Sequence, residues 1–364
     1  MKIGIVWLPN VGKSTLFNAL TKSYAADSWN FPFCTIDANT WVVDVKDDRV
    51  DKLAEISWSK DKIYANIQFV DIAGLVKWAS KWEWLGNKFL WNIKEVDAIV
   101  QVVRYFHDDD INHVDGSVDP LRDIETINME LIMSDLEQIE NKLPQLQKKV
   151  KSKDKYACDL YPVLEKLKKN LESWYLICDF SNELSDKEKD LIKPFNFLTN
   201  KSFVYAINVG EKDLSNWKNI KDHYETKLNK PVSIVSAKIE SEMIEFDQEE
   251  KQEFLKDIFN WGDITTLDSL IKTAFDEVGL MYYFTTWEKE TKAWTIKKNS
   301  TAPEAAWAIH TDFQKWFIKA EIVKYDDLVD AASWQKAKEK GKVKLQWKEY
   351  IVQDGDVIIF KFNV

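Results

Sequence analysis

The chain is 364 residues long, 45% hydrophobic and 30% charged, with a formal net charge of −10, a globular composition with room for two or three domains. No run of eighteen apolar residues occurs, which argues against a membrane-spanning helix, and the acidic balance argues against a protein that coats nucleic acid, DNA included, through bulk charge. Cys34, Cys158 and Cys178 lack metal-ligand spacing and fit structural thiols in a reducing compartment.

Met1 leads straight into KIGIV (2–6), a short buried strand that leaves no room for a signal peptide. STLFNALTKS (14–23) opens a helix, so the first loop joins a strand to a helix. Further strands are expected at 42–45, 66–71 and 97–103, each apolar, β-branched and closed by polar or turn residues, as in a parallel sheet flanked by helices. From 124 to 193 Leu and Ile recur at helical spacing amid dense charge, which predicts two long helices joined near 151–155. Lys148, Lys149, Lys151, Lys153 and Lys155 cluster at that join, where they could meet a phosphate backbone. SFVYAINV (202–209) and PVSIVSA (231–237) return to strands, and a helix at 266–278 closes the first domain. Short strands follow from Gly279 on: YYFTT, KAWTIKK, KAEIVKY, KVKLQ, EYIVQ and VIIFKF, with one helix at 309–319.

The first loop reads Trp7-Leu8-Pro9-Asn10-Val11-Gly12-Lys13-Ser14, the end of a G-x-x-x-x-G-K-[ST] phosphate loop. N–H groups from Asn10 through Val11 and Gly12 to Thr15 can cradle phosphate oxygens, Lys13 can reach the β and γ phosphates, and the Ser14 hydroxyl can ligate Mg²⁺. "QFVDIAG" puts Asp71 at a strand end, where its carboxylate can hold that metal through water, with Gly74 placed to offer an N–H to the γ-phosphate. In "FPFCTID", Thr35 can supply a second hydroxyl to the metal; Cys34 beside it is read as a loop anchor. GTP-specific proteins of this type carry N-K-x-D after a later strand. Here that place holds Asn208-Val209-Gly210-Glu211, which weakens guanine selectivity, and Ser236, Ala237 and Lys238 of "SAKIE" match the loop on the other side of the base.

Together LPNVGKSTLFNALT, NFPFCTID, FVDIAGLVK, LGNKFL, residues 104–120, the N-x-x-E site, VSAKIE and YIVQDGDVIIFKFNV resemble the YchF family, the Obg-like ATPases among P-loop proteins. The resemblance covers essentially the whole chain. It implies an α/β nucleotide domain with a mostly parallel sheet (1–123 and 200–278), an inserted helical coiled-coil hairpin (124–199), and a C-terminal α+β TGS domain of β-grasp type (279–364). It implies a cytoplasmic, monomeric ATPase that associates with ribosomes, with rRNA or tRNA as further partners; a GTPase with the same parts is the alternative. Leu75 stands where Ras-like enzymes orient water with Gln. His113 in "DDDINHVDGS" resembles the family's candidate for that role, and Asn10 resembles the asparagine that binds K⁺ in related hydrolases. The TGS unit either contacts RNA or packs to orient the site.

Two counts are abnormal. There are 17 Trp and 10 Gly, where usage of about 7% predicts roughly 25 glycines. Against the family pattern Trp7 falls on the first loop glycine, Trp78, Trp82 and Trp84 on switch glycines, and Trp307, Trp316 and Trp347 on glycines near the C-terminus. Nine more, Trp58 and Trp174 among them, fit glycine or a small residue; Trp294 alone matches a family tryptophan. Setting it aside leaves sixteen, which with the ten glycines make 26. The expected cause is a gene that reads UGA as glycine, translated with UGA as tryptophan. An indole at position 7 is expected to block the tight turn and crowd the phosphate. If the residue is genuine, a ribosome- or RNA-binding protein with a dead nucleotide site becomes the reading.

Overall fold

The computed structural model describes residues 1–24, 40–72, 89–108, 116–246, 250, 253–254 and 266–362, with the backbone alone at 21–24. Thr35, Gly74, His113, Cys34 and Leu75 lie outside the described residues, as do Trp29, Trp78, Trp82, Trp84 and Trp261.

The strands are β1 (Lys2–Trp7), β2 (Thr40–Val45), β3 (Asp61–Ile63), β4 (Ala65–Asp71), β5 (Ala98–Arg104), β6 (Ser202–Asn208) and β7 (Val232–Val235), then β8 (Leu280–Thr286), β9 (Glu290–Lys297), β10 (Phe317–Lys324), β11 (Lys344–Gln346) and β12 (Asp356–Phe362). The helices that matter most are α1 (Lys13–Tyr24), α2 (Asp48–Ser57), α3 (Pro120–Lys151) and α4 (Lys155–Glu172). One sheet runs β2-β4-β1-β5-β6-β7 and a second runs β11-β10-β12-β8-β9-β3. In the first, β1 pairs in parallel with β4 and β5, and β5–β6 and β6–β7 are parallel too. β5 and β7 are buried at every position, as Val/Ile-rich strands covered on both faces should be.

Contacts divide the chain into two compact units, Met1–Trp41 with Gln68–Ala274, and Val42–Ile67 with Phe275–Val364. Residues 42–67 therefore fall with the C-terminal sheet, not with the nucleotide domain as the sequence suggested. Parallel pairing of β3 with β9 accounts for this in part. Arg49 accounts for more: it donates to Asp47 and to Asp354, each at 2.8 Å, and rests on the Tyr282 and Phe284 rings. Those contacts join the start of α2 to β8 and to the residues just before β12, a link that no local pattern announces. The rest of this unit packs Tyr283, Ile296, Phe317, Ile322, Val352 and Ile358 into one core.

Three local expectations are corrected. The single helix at 309–319 is two, Ala302–Ile309 and Thr311–Lys315, broken by extended His310 (φ −157, ψ 139), and residues from Phe317 on join β10. EYIVQ makes one isolated bridge, Ile351 to Thr301, rather than a strand. Short helices at Tyr325–Ala331 and Trp334–Glu339 stand in a unit for which one helix was expected.

The hairpin between β5 and β6 follows its periodicity. Ile124, Ile127, Leu131, Ile139 and Leu146 of α3 are buried, as are Leu160, Leu164, Leu167 and Leu171 of α4. Asp135 on α3 is buried as well and accepts the Leu198 and Thr199 N–H groups and the Thr199 hydroxyl, at 3.0, 2.8 and 2.7 Å. That carboxylate fixes the hairpin's return to β6.

Trp58 and Trp174 occupy left-handed backbone, at φ 53 and 65. Each follows a helix end, and the next N–H reaches back over it: Ser59 to the Ala54 carbonyl at 2.9 Å and Tyr175 to Asn170 at 3.1 Å. This is the position where helices end in glycine, because a Cβ there is strained. Trp58 is also 86% exposed, so its indole contributes little packing. Trp58→Gly and Trp174→Gly are each expected to raise stability by about 1 kcal/mol in urea unfolding. Trp217→Gly, at φ −54 in a first helical turn, should lower it by about as much.

Candidate functional site

The site is built on the carboxyl ends of β1, β4, β5, β6 and β7, where open α/β sheets place ligands. β1 ends at Trp7, and the chain turns through left-handed Asn10 (φ 66) and Gly12 (φ 88) into α1. Asparagine tolerates that conformation better than most side chains. Gly12 needs to be glycine twice over: its φ is positive, and a Cβ would stand 2.5 Å from Asn208 Nδ2. The helix opens with the Leu16 N–H donated to the Gly12 carbonyl, and no acidic residue stands in its first turn. Ser14 is exposed and Thr15 half-buried. Their N–H groups lie among the first of the helix, which have no partner within it, and form an anion-binding terminus.

Lys13 does not point into open solvent. Its Nζ lies 2.7 Å from Asp71 Oδ2, 4.0 Å from the centre of the Trp7 ring and 5.5 Å from that of Phe17. Register explains the first contact, since Asp71 on β4 pairs with Ile5 on β1. The second Asp71 oxygen, Oδ1, is buried with no hydrogen-bond partner among the described residues. Burial pushes the Asp71 carboxyl up, and the Lys13 ammonium partly offsets this. A buried carboxylate with one free oxygen, close to the Ser14 turn, suits a hard divalent cation better than a structural ion pair alone.

Trp7 corrects one expectation. It lies in β1 outside the left-handed region, 5% exposed and edge-on to Phe17 at 5.7 Å. The turn forms with the indole in place. What the indole does is hold the lysine.

Asn208 is also placed differently from the expectation of a base contact. Its Nδ2 donates to the Val11 carbonyl at 2.8 Å, and its Oδ1 accepts the Ala237 N–H at 3.1 Å. One buried amide thus ties the phosphate loop to the loop after β7. Val209 is buried, its N–H on the Val235 carbonyl. Ser236 is fully buried, its hydroxyl without a partner among the described residues. Glu211 and Lys238 are exposed at the heads of these two loops.

Two residues escaped the sequence reading. Arg104 ends β5 at 2% exposure; its guanidinium donates to the carbonyls of Asn10 (3.4 Å), Phe106 (3.1 Å) and Asp108 (3.3 Å) and stacks on the Phe106 ring. An arginine closing a fully buried strand was the available signal, because buried guanidinium demands several acceptors. Glu240, one turn after Ser236, accepts the Thr266 hydroxyl and the Leu267 N–H at the start of the helix Thr266–Glu277. Burial pushes its carboxyl up to about 7.

Comparison with known proteins bears directly on this arrangement. Residues 280–363 match the family model YchF-GTPase_C, described as a protein of unknown function, and residues 2–160 match one described as a 50S ribosome-binding GTPase. The ribosome-binding ATPase YchF of Bacillus subtilis (strain 168) is 48% identical over 99% of both chains. The chain belongs to the YchF family. Obg-like ATPase 1 of Gallus gallus is 44% identical, over all of this chain and 92% of that one. The solved Schizosaccharomyces pombe YchF GTPase superposes with a TM-score of 0.87 at 36% identity, over 99% of this chain and 97% of that one. The family and the α/β fold with a long helical insertion and C-terminal sheet were thus legible in the motifs.

Proposed function

We infer that the chain is an ATP-hydrolysing switch that works on the ribosome. The observation that carries this is Lys13 paired with Asp71 at the head of α1, beside a buried Asp71 oxygen with no described partner. Support comes from the relatives named ribosome-binding ATPase, matched end to end. ATP is preferred to GTP because the acid that would pair with guanine is an exposed glutamate, Glu211, not an aspartate.

In this reading Ser14 and Asp71, joined by Thr35, would hold Mg²⁺, which would supply positive charge against the triphosphate. Lys13 leaves Asp71 and turns to the phosphates as the triphosphate enters. Asn10, Val11, Gly12 and Thr15 supply backbone donors and Arg104 holds the turn by the Asn10 carbonyl. Val209, Glu211, Ser236, Ala237 and Lys238 frame the base, and Asn208 braces the loops that carry them. Gly74 offers an N–H to the γ-phosphate, His113 polarises the attacking water where Leu75 cannot, and Asn10 would supply a ligand to K⁺. Residues 124–199 form the helical insertion of the nucleotide domain and 279–364 a TGS module, with 42–67 grouped with the latter; the protein acts as a cytoplasmic monomer with rRNA or tRNA nearby.

Affinity for ATP and GTP, phosphate release and co-sedimentation with ribosomes test this, in the unsubstituted chain and in the Trp7→Gly variant. ATP should bind at least tenfold more tightly than GTP, and Lys13→Ala should cut hydrolysis by roughly 100-fold or more. Tighter GTP binding would establish the GTPase reading. No hydrolysis by the Trp7→Gly variant would leave a ribosome-binding protein only.

A further inference from the structure

The hairpin tip carries a dense run of positive charge. Residues 141–158 hold six lysines and a single carboxylate, Asp154, in a chain whose net charge is −10. Asp154 is engaged: its Oδ1 accepts the Ala157 N–H at 2.8 Å and caps α4. Lys148, Lys149, Lys151, Lys153 and Lys155 are exposed, and none makes an ion pair among the described residues.

Helix physics accounts for three of the five. Lys148, Lys149 and Lys151 lie in the last turn of α3, where the carbonyl end of the helix dipole favours cations. The other two stand against local preference. Lys153 is left-handed, at φ 60, where glycine or asparagine is the usual choice. Lys155 opens α4, where the positive end of the dipole disfavours a cation. Their charges extend the patch across the turn into one continuous surface. Tyr156, half exposed, adds a ring face beside it. The neighbouring aliphatic residues Leu146 and Ala157 are buried, so the tip lacks the apolar centre that a protein interface needs. Separate ammonium groups on flexible stems suit spaced phosphates.

We propose that the tip of the α3–α4 hairpin is an RNA-binding surface that grips the phosphate backbone through Lys148, Lys149, Lys151, Lys153 and Lys155. This rests on the reading of the chain as ribosome-bound and names the surface that makes the contact. It adds a second contact to the nucleotide site, read without regard to base sequence.

The test uses the full chain, a variant with all five lysines changed to Gln, and one with all five changed to Arg. Binding to purified ribosomes and to a 20-base-pair RNA duplex is followed from about 50 to 200 mM KCl. The Gln set should bind both probes at least tenfold more weakly, with a salt slope shallower by roughly 0.7–0.9 per lysine lost. The Arg set should restore both, and ATP affinity should not move. Lys153→Asn with Lys155→Ser should weaken duplex binding while raising the unfolding midpoint, opposite directions that misfolding cannot produce. Equal duplex affinity of the unsubstituted chain and the Gln set overturns the proposal. So does a loss confined to ribosomes with duplex binding intact, which points to an acidic ribosomal protein. An unsubstituted chain that binds duplex through these lysines but fails to sediment with ribosomes sinks the ribosome reading alone.

Discussion

Glycine in place of Trp7 is expected to tighten ATP binding by roughly 30-fold. The ammonium of Lys13 sits 4.0 Å from the centre of that indole and 2.7 Å from Asp71 Oδ2. A desolvated cation–π contact is worth up to about 2 kcal/mol, near 1.5 powers of ten in affinity, and the lysine must abandon it to reach a phosphate. Asp71 is released in either form, so it cancels from the comparison. Titration with ATP and Mg²⁺ reads the effect directly, and Trp7→Phe should recover only part of it. Stability gives a second, independent reading. If tryptophan is the native residue, removing a 5% exposed indole packed on Phe17 leaves a cavity and costs about 3–5 kcal/mol. If glycine is native, the unfolding midpoint holds; Trp41, 4.6 Å from Phe17, belongs to the same suspect set. Intact mass of the protein from its native host closes the question: a mass that carries 17 tryptophans ends the recoding explanation.

The phosphate loop was legible because its chemistry is local. A strand, a left-handed glycine and a lysine at the head of a helix are one continuous segment, and Gly12, Lys13 and Ser14 took the places that their spacing predicts. Asp71 was visible as the polar end of an apolar strand, and there it meets Lys13. Asn208 was read as a base contact because its position in the motif is visible and its partners are not. Val11 and Ala237 lie 197 and 29 residues away from it in sequence. Arg104 was missed on the same ground, and Arg49 draws residues 42–67 to the second unit through contacts with residues more than 200 positions on. The tryptophan excess was visible in composition, but which positions require glycine was not. Backbone shows the need at Trp58 and Trp174, while at Trp7 the objection moves from the turn to the lysine.

Asn208→Ala should therefore behave as a lesion of the whole site rather than of base recognition. The amide is 3% exposed and makes both of its bonds inside the protein, so truncation leaves the Val11 carbonyl and the Ala237 N–H buried and unpaired. Each orphan costs about 1–3 kcal/mol, which predicts a loss near 3 kcal/mol in urea unfolding. ATP and GTP affinity should fall together, by roughly tenfold or more, because the phosphate loop and the loop after β7 lose the strut that sets their spacing. A residue that reads the base would instead change the ratio of the two affinities. Asn208→Asp sharpens the distinction: it keeps the acceptor for Ala237 but turns a carboxylate oxygen toward the Val11 carbonyl, a buried like-polarity contact worse than an empty site. Aspartate should thus be the more damaging of the two, although it is closer in shape. Should Asn208→Ala leave stability within about 0.5 kcal/mol and shift only the ATP-to-GTP ratio, the strut is wrong and the base contact stands.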